Sequence, residues 1–167
     1  KRHPSPHLSD NAVALMKQVV ESSKDKVVIL ATGPLTNVAE FIVAYPQLKD
    51  KIERIIIMGG AIHAPGNIEA LSPQANNKVS EWNFYADPAA VKRVFTSHIP
   101  ITLISLDATN QVPITKEFIN SLAHEEQPDL HLTYGLLKKW IDVVGAKEFY
   151  KEVYLWDALS AMVMLDP

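Results

Sequence analysis

Three short apolar runs, spaced by segments with helical patterning, restrict this chain to an α/β architecture. The runs occupy 27–31, 54–58 and 101–106, and each is rich in isoleucine, valine or leucine. Continuous runs of this length indicate strands buried on both faces, and single helices between them indicate parallel pairing through right-handed crossovers. We therefore expect an open, mostly parallel sheet with flanking helices, followed by a helical segment after Thr115.

Apolar residues at three- and four-residue spacing predict the helices. Those around the predicted sheet lie at 12–20, 35–45 and 89–97, and the later ones at 116–123, 130–144 and 156–165. Asp87 and Pro88 supply an N-cap and a first-turn proline for the third of these helices. Because the 167 residues contain no internal repeat and no linker, we expect one domain over 1–167.

Composition excludes several classes of protein. Sixteen basic and nineteen acidic side chains give a net charge of -3, without the basic stripe that nucleic acids or anionic membranes require. A hydrophobic content of 47% excludes an intrinsically disordered chain. The absence of cysteine excludes disulfides, thiolate zinc sites and a cysteine nucleophile. The apolar runs are also too short for a transmembrane helix.

Polar residues follow the predicted strands, and those of the segment 58–83 are the most informative. This segment has no helical or strand periodicity, which is unusual inside a compact domain and is often functional. It contains glycines that permit close backbone approach, and its side chains Asn67, Glu81 and Asn83 can bind several hydroxyl groups. Since open parallel sheets bind ligands beyond the carboxyl ends of their strands, we expect the site here.

Five segments and one dipeptide resemble the inosine-uridine preferring nucleoside hydrolase family. They are ILATGPLTNVA at 29–39, IIIMGGA at 55–61, GN at 66–67, EWNFYADPAA at 81–90, LISLDAT at 103–109, and Trp156-Asp157. Each segment alone is weak, but their order, spacing and placement at strand ends agree over nearly the whole chain.

The resemblance implies the nucleoside hydrolase fold and a calcium-dependent enzyme. The implied reaction cleaves the N-glycosidic bond of ribonucleosides, using a calcium-bound water and an oxocarbenium-like transition state, and releases free base and ribose. It also implies a homodimer or homotetramer that acts on small molecules in purine salvage or nucleoside catabolism. We expect no nucleic-acid partner, no membrane association and a cytoplasmic location.

The resemblance also assigns roles to individual residues. The main-chain carbonyl of Thr32 and the carboxylate of Asp157 match calcium ligands, and Asp157 also matches a ligand of a ribose hydroxyl. The remaining substrate-binding positions match Met58, Asn67, Glu81 and Asn83.

Two departures from the family pattern modify this expectation. The family's early aspartate motif, which supplies calcium ligands and the general base, has no match here. We therefore expect a fragment that lacks the N-terminal metal-binding strand and the C-terminal end and is inactive alone. Trp156 stands where broad-specificity members carry a histidine. An indole has no accessible pKa for acid catalysis, so we expect Trp156 to stack on the base, as in a purine-preferring subgroup.

Other interpretations stay open at this point. Asp157 could be an ordinary helix N-cap. Asp107 and Thr109 could line the crevice beyond the strand ends, but their position favours capping of the next helix. His63 is expected to be a surface loop residue, and Trp82 to pack beneath the loop of Glu81. For the whole protein, the alternatives to a purine-leaning hydrolase are a catalytically silent nucleoside- or ribose-binding protein and a hydrolase of another N-riboside.

Overall fold

A three-stranded parallel sheet organises the part of the chain that the computed structural model describes, residues 11–166 without the side chain of Leu71. The strands are β1 (Val27–Ala31), β2 (Ile52–Met58) and β3 (Ile101–Ile104), in the order β1-β2-β3. Ala31 pairs with Ile57 at the carboxyl end of β1, and Met58 pairs with Ile104 at that of β2. The predicted open parallel α/β sheet is confirmed.

Six of the ten helices in the described residues match predicted helices with small shifts at their ends. The ten helices are α1 (Ala12–Ser22), α2 (Thr36–Ala44), α3 (Ile68–Leu71), α4 (Trp82–Ala86), α5 (Pro88–Phe95), α6 (Leu106–Thr109), α7 (Lys116–Leu122), α8 (Pro128–Val144), α9 (Ala146–Glu152) and α10 (Trp156–Leu165). The four short helices α3, α4, α6 and α9 were not predicted. Short 3-10 turns cover Pro46–Lys51 and Pro73–Ala75. Within the described residues, no helix is both long and apolar enough to cross a bilayer.

Burial differs between the central strand and its two neighbours. The residues of β2 from Ile55 to Met58 are fully buried, whereas most residues of β1 and β3 are only half-buried. The prediction that all three strands are buried on both faces is therefore wrong for β1 and β3. The reason is topological, because each of these strands has a paired neighbour on one side only within the described sheet.

Two apolar clusters stabilise the described residues. The larger one joins the sheet to α1, α2 and α5 and includes the fully buried side chains of Leu35, Phe41 and Ile55. The smaller one joins α7, α8 and α9 around Phe149. Helix α10 contacts β1, β2 and α6, so it returns the end of the chain to the sheet.

Three features of the structure differ from the prediction. Strand β3 ends at Ile104, because Leu106 already begins α6. The segment 58–83 was expected to lack regular structure, but it contains α3, a 3-10 turn and the start of α4. Helix α9 was not predicted, because it has only seven residues and follows Gly145, whose φ is +88°.

Candidate functional site

The carboxyl ends of the three strands place the predicted site residues at one edge of the sheet. Thr32 directly follows β1, Met58 ends β2, and Ser105 and Asp107 follow β3. The segment 59–83 leaves this edge and returns to it through Glu81 and Asn83. We call Met58, Asn67, Glu81 and Asn83 the polar cluster.

Glu81 is the centre of the polar cluster. Its side chain is only 3% exposed, and both carboxylate oxygens accept backbone hydrogen bonds. Oε2 accepts from the N–H of Gly60 at 2.9 Å and of Phe84 at 3.1 Å, and Oε1 accepts from the N–H of Asn83 at 2.9 Å. Glu81 is therefore the N-cap of α4 and also fixes the turn after β2.

Asn83 connects the first turn of α4 to the end of β2. Its Nδ2 donates to the main-chain oxygen of Met58 at 3.1 Å and lies 3.5 Å from the Met58 sulfur. Both side chains are buried. Because Nδ2 is occupied by Met58, the Oδ1 of Asn83 is left as an acceptor that takes no hydrogen bond from another described residue.

Asn67 has the opposite arrangement. Its Oδ1 accepts from the N–H of Trp82 at 2.9 Å, which leaves the Nδ2 group as the available donor. The polar cluster thus presents an amide donor at Asn67 and an amide acceptor at Asn83. Amide donors and acceptors of this kind suit hydroxyl groups, which both donate and accept.

The ring of Phe84 packs against the two glycines that follow β2. A Cβ on Gly59 would lie 2.6 Å from the Phe84 ring, and one on Gly60 would lie 2.9 Å from it. Gly60 also has a φ of +76°, which side chains rarely adopt. The sequence predicts that these glycines allow another group to approach the backbone closely. In the structure that group is the aromatic ring of Phe84.

Backbone hydrogen bonds between residues 66–67 and 78–80 close the base of the loop that carries Asn67, and we call this pairing the neck. The N–H of Gly66 donates to the carbonyl of Lys78 at 2.7 Å, and that of Asn67 donates to the carbonyl of Ser80 at 3.1 Å. A Cβ on Gly66 would lie only 2.3 Å from the Ser80 carbonyl oxygen. The two sides of the neck are therefore as close as glycine allows.

Replacing Gly66 with alanine should destabilise the protein by about 1–3 kcal/mol, because backbone atoms must move to admit the methyl group. The matched control is Gly135→Ala in α8, where a Cβ meets no atom within 4 Å. That change should stabilise the helix by roughly 0.5–1 kcal/mol. Urea unfolding of both variants measures the two effects, and equal shifts would contradict the close neck.

Asp157 lies in the first turn of α10 and not at its N-cap, which is Leu155. The N-cap interpretation of Asp157 is therefore wrong. Partial desolvation, with a smaller contribution from repulsion by Glu81, raises the pKa of Asp157 above its ordinary value. Asp157 thus experiences the charge of Glu81, which is 76 positions earlier in the chain, and the helix that carries Asp157 packs against β1, β2 and α6.

The oxygen atoms at the carboxyl edge of the sheet match the ligand type of a hard cation but not the number of ligands. The Asp157 carboxylate and the Thr32 main-chain carbonyl are oxygen ligands, and neither Asp157 nor Glu81 forms an ion pair with a basic side chain of residues 11–166. Calcium takes about 6–8 oxygen ligands. Within the same residues, no group of three or more His, Asp or Glu side chains could hold a metal ion. Thr32 and Asp157 are therefore oxygen donors of the type that calcium binds, but they are too few to hold the ion alone.

The aromatic residues near the site have two different environments. Trp156 is half-buried, packs against the Phe149 cluster, and has its ring centroid 5.9 Å from that of Tyr154. Trp82 is 46% exposed, so it does not pack beneath the Glu81 loop as expected. Its position in the first turn of α4, between inward-facing Glu81 and Asn83, directs its side chain outward.

Asp107 has a larger role than its sequence position indicated. It does not cap α6, whose N-cap is Ser105, and its carboxylate instead accepts from backbone N–H groups of the loop after β2. Asp87 is structural as expected, since it caps α5 and accepts from the Thr36 hydroxyl at 2.7 Å. Sequence reasoning missed the role of Asp107 because the bonded residues lie more than forty positions earlier.

Comparisons with known proteins point to one family. The family model described as inosine-uridine preferring nucleoside hydrolase matches residues 1–167. A curated pyrimidine-specific ribonucleoside hydrolase from Shewanella oneidensis is 39% identical over 155 residues, covering 86% of this chain and 46% of that protein.

Two solved structures share the fold. An inosine-uridine preferring nucleoside hydrolase from Bacillus anthracis superposes with a TM-score of 0.75 at 32% identity, covering 94% of this chain and 48% of that one. A purine-preferring ribonucleoside hydrolase from Gardnerella vaginalis gives 0.81 at 26% identity, covering 100% of this chain and 51% of that one. The chain thus spans about half the length of these relatives.

Proposed function

Because this chain belongs to the inosine-uridine preferring nucleoside hydrolase family, we propose that its protein hydrolyses the N-glycosidic bond of ribonucleosides. The products are the free base and ribose. The observation that carries the proposal is the hydrogen-bonded unit of Glu81, Asn83 and Met58 at the end of β2, with Asp157 beside it.

The polar cluster supports this proposal because its free groups match a vicinal diol. Asn67 offers a donor, Asn83 offers an acceptor, and Asp157 adds a carboxylate that takes no hydrogen bond from another described side chain. Through three backbone N–H groups Glu81 holds Asn83 and the glycine turn in place, and we propose that its negative charge also acts on the ribose. Fixed polar groups of this kind can bind ribose as its ring flattens toward the transition state.

We assign the metal-binding role to the Thr32 carbonyl and Asp157, with calcium as the ion. Oxygen donors favour a hard cation, and a positive charge would offset the repulsion between Asp157 and Glu81. When bound, calcium supplies Lewis acidity that lowers the pKa of a water and holds ribose hydroxyls. This assignment requires that groups other than Thr32 and Asp157 provide the remaining calcium ligands and the general base.

We further propose that purine nucleosides are preferred. Trp156 precedes Asp157 and is braced by Tyr154 and the Phe149 cluster, so its ring is held in a fixed position. An indole cannot act as a general acid, but it can stack on a base, which is worth about 1–3 kcal/mol in nucleic-acid systems. A purine offers the larger stacking surface. Because one relative is named as pyrimidine-specific, a preference for pyrimidine nucleosides is the competing outcome.

A reducing-sugar assay on the intact protein with calcium tests both proposals. Inosine, guanosine, adenosine, uridine and cytidine are compared at equal concentrations. Ribose released faster from the purines supports hydrolysis and the stacking role of Trp156, whereas faster release from uridine and cytidine contradicts the purine preference. Nucleoside binding without ribose release would overturn the hydrolase proposal and favour a binding protein.

A further inference from the structure

Asp107 lies at the second position of α6, and its carboxylate reaches the loop that follows β2. Oδ2 accepts from the N–H of Ile62 at 2.9 Å, and Oδ1 accepts from those of His63 and Ala64 at 2.8 and 2.9 Å. The hydroxyl of Ser105 donates to Oδ2 at 2.9 Å. One carboxylate thus receives four hydrogen bonds, three of them from consecutive backbone amides.

These hydrogen bonds require the ionised carboxylate. They hold the pKa of Asp107 well below its ordinary value, so it carries a negative charge throughout the physiological pH range. Hydrogen bonds to an ionised acceptor are shorter and stronger than those between neutral groups. The loop 61–64 is therefore held by a fixed anion, although its side chains at Ile62 and His63 are exposed.

The same stretch of backbone also holds Glu81. The N–H of Gly60 donates to Glu81 Oε2 at 2.9 Å, and the Gly60 carbonyl accepts from the N–H of Leu106 at 2.9 Å. Only Ala61 separates Gly60 from the amides that Asp107 binds. Gly60 has a φ of +76°, so it forms the turn that joins the end of β2 directly to the loop 61–64.

We propose that Asp107 is a positioning residue for the polar cluster, acting through the loop 61–64 and Gly60 on the Glu81 carboxylate. It contacts neither ribose nor base itself. This inference rests on the proposed function for its effect on turnover. Its effect on the position of Glu81 is structural and can be measured without a substrate.

The test is Asp107→Asn in the intact protein, followed by amide hydrogen exchange and by ribose release. The amides of Gly60, Asn83 and Phe84, which donate to Glu81, should lose protection about tenfold together with the loop amides. The kcat should fall about tenfold or more with KM changed less than about threefold, since a small displacement of a positioning group mainly affects the transition state. A merely structural role would lower thermal stability and leave kcat per folded molecule unchanged.

Asp87→Asn is the matched control, because that carboxylate also accepts from a hydroxyl and a backbone N–H but does not touch the loop. It should leave exchange at the three Glu81-bound amides unchanged. Should Asp107→Asn not fold, Asp107→Glu keeps the charge, displaces the oxygens, and should give the same directions.

Protection lost only at 62–64 would overturn the positioning role. Protection lost at the Glu81-bound amides, in a protein whose wild type releases no ribose, would support positioning and reject the hydrolase proposal.

Discussion

Replacing Asp157 with asparagine should reduce ribose release by the intact protein about hundredfold while leaving the fold intact, because the proposed function requires the negative charge of Asp157 at the ribose and the metal. Asp157 is exposed within the described chain and has no hydrogen-bonding side-chain partner there. Asparagine keeps its size and one oxygen but cannot neutralise a cation. Steady-state kinetics with added calcium measures the loss, which should be partly offset at high calcium concentration.

The same substitution should slightly increase the free energy of unfolding at pH 7. Since the pKa of Asp157 is raised in the folded state, its stabilising contribution is present below the ordinary value near about 3.9 and is lost as the pH rises through the raised value. The difference between wild type and Asp157→Asn should therefore vanish at low pH.

Asp166→Asn is the control for Asp157, because it makes the same change at the other end of α10. It should leave ribose release unchanged. Full activity of Asp157→Asn at limiting calcium would contradict the assignment of Asp157 to the metal and the ribose.

Replacing Glu81 with alanine should reduce the free energy of unfolding by about 3–5 kcal/mol, because three backbone N–H groups lose their acceptor and α4 loses its N-cap. The affected groups belong to Gly60, Asn83 and Phe84. Activity should be undetectable, since Asn83 and the glycine turn would both move. Denaturant unfolding and ribose release measure the two effects.

Glu81→Gln separates the structural and the chemical roles of this residue. The amide oxygen of the glutamine can still accept hydrogen bonds from the N–H groups of Gly60 and Phe84. The amide nitrogen then faces the N–H of Asn83, and this mismatch of two donors costs about 1–3 kcal/mol. The folded variant should still lose activity about hundredfold, because the charge beside Asp157 is gone. Glu69→Ala is the control, since Glu69 forms only an exposed ion pair with Lys78 at 3.7 Å and should change stability by less than about 1 kcal/mol. Wild-type activity in Glu81→Gln would contradict a role for the charge.

The fold class and much of the site were readable from local patterns. The run 27–31 predicted β1 with its observed bounds, because β-branched residues between charge and a Gly-Pro turn favour only one local structure. The grouping of Met58 with Glu81 and Asn83 was expected because the family resemblance assigns all three to one substrate site beyond the strand ends. Local reasoning failed for Asp157, whose position resembles a helix cap although Leu155 occupies that place.

The sequence by itself determined the order of strands and helices, the parallel sheet and the identity of the polar side chains at its carboxyl edge. These properties depend on periodicity, on turn residues and on motifs within about ten positions of each other. Only the tertiary structure decided which atom of each side chain is free. Asn67 became a donor and Asn83 an acceptor because of Trp82 and Met58, and Asp107 became an anchor for a distant loop. Such choices depend on contacts between distant segments, whose geometry exists only after the sheet has brought the strand ends together.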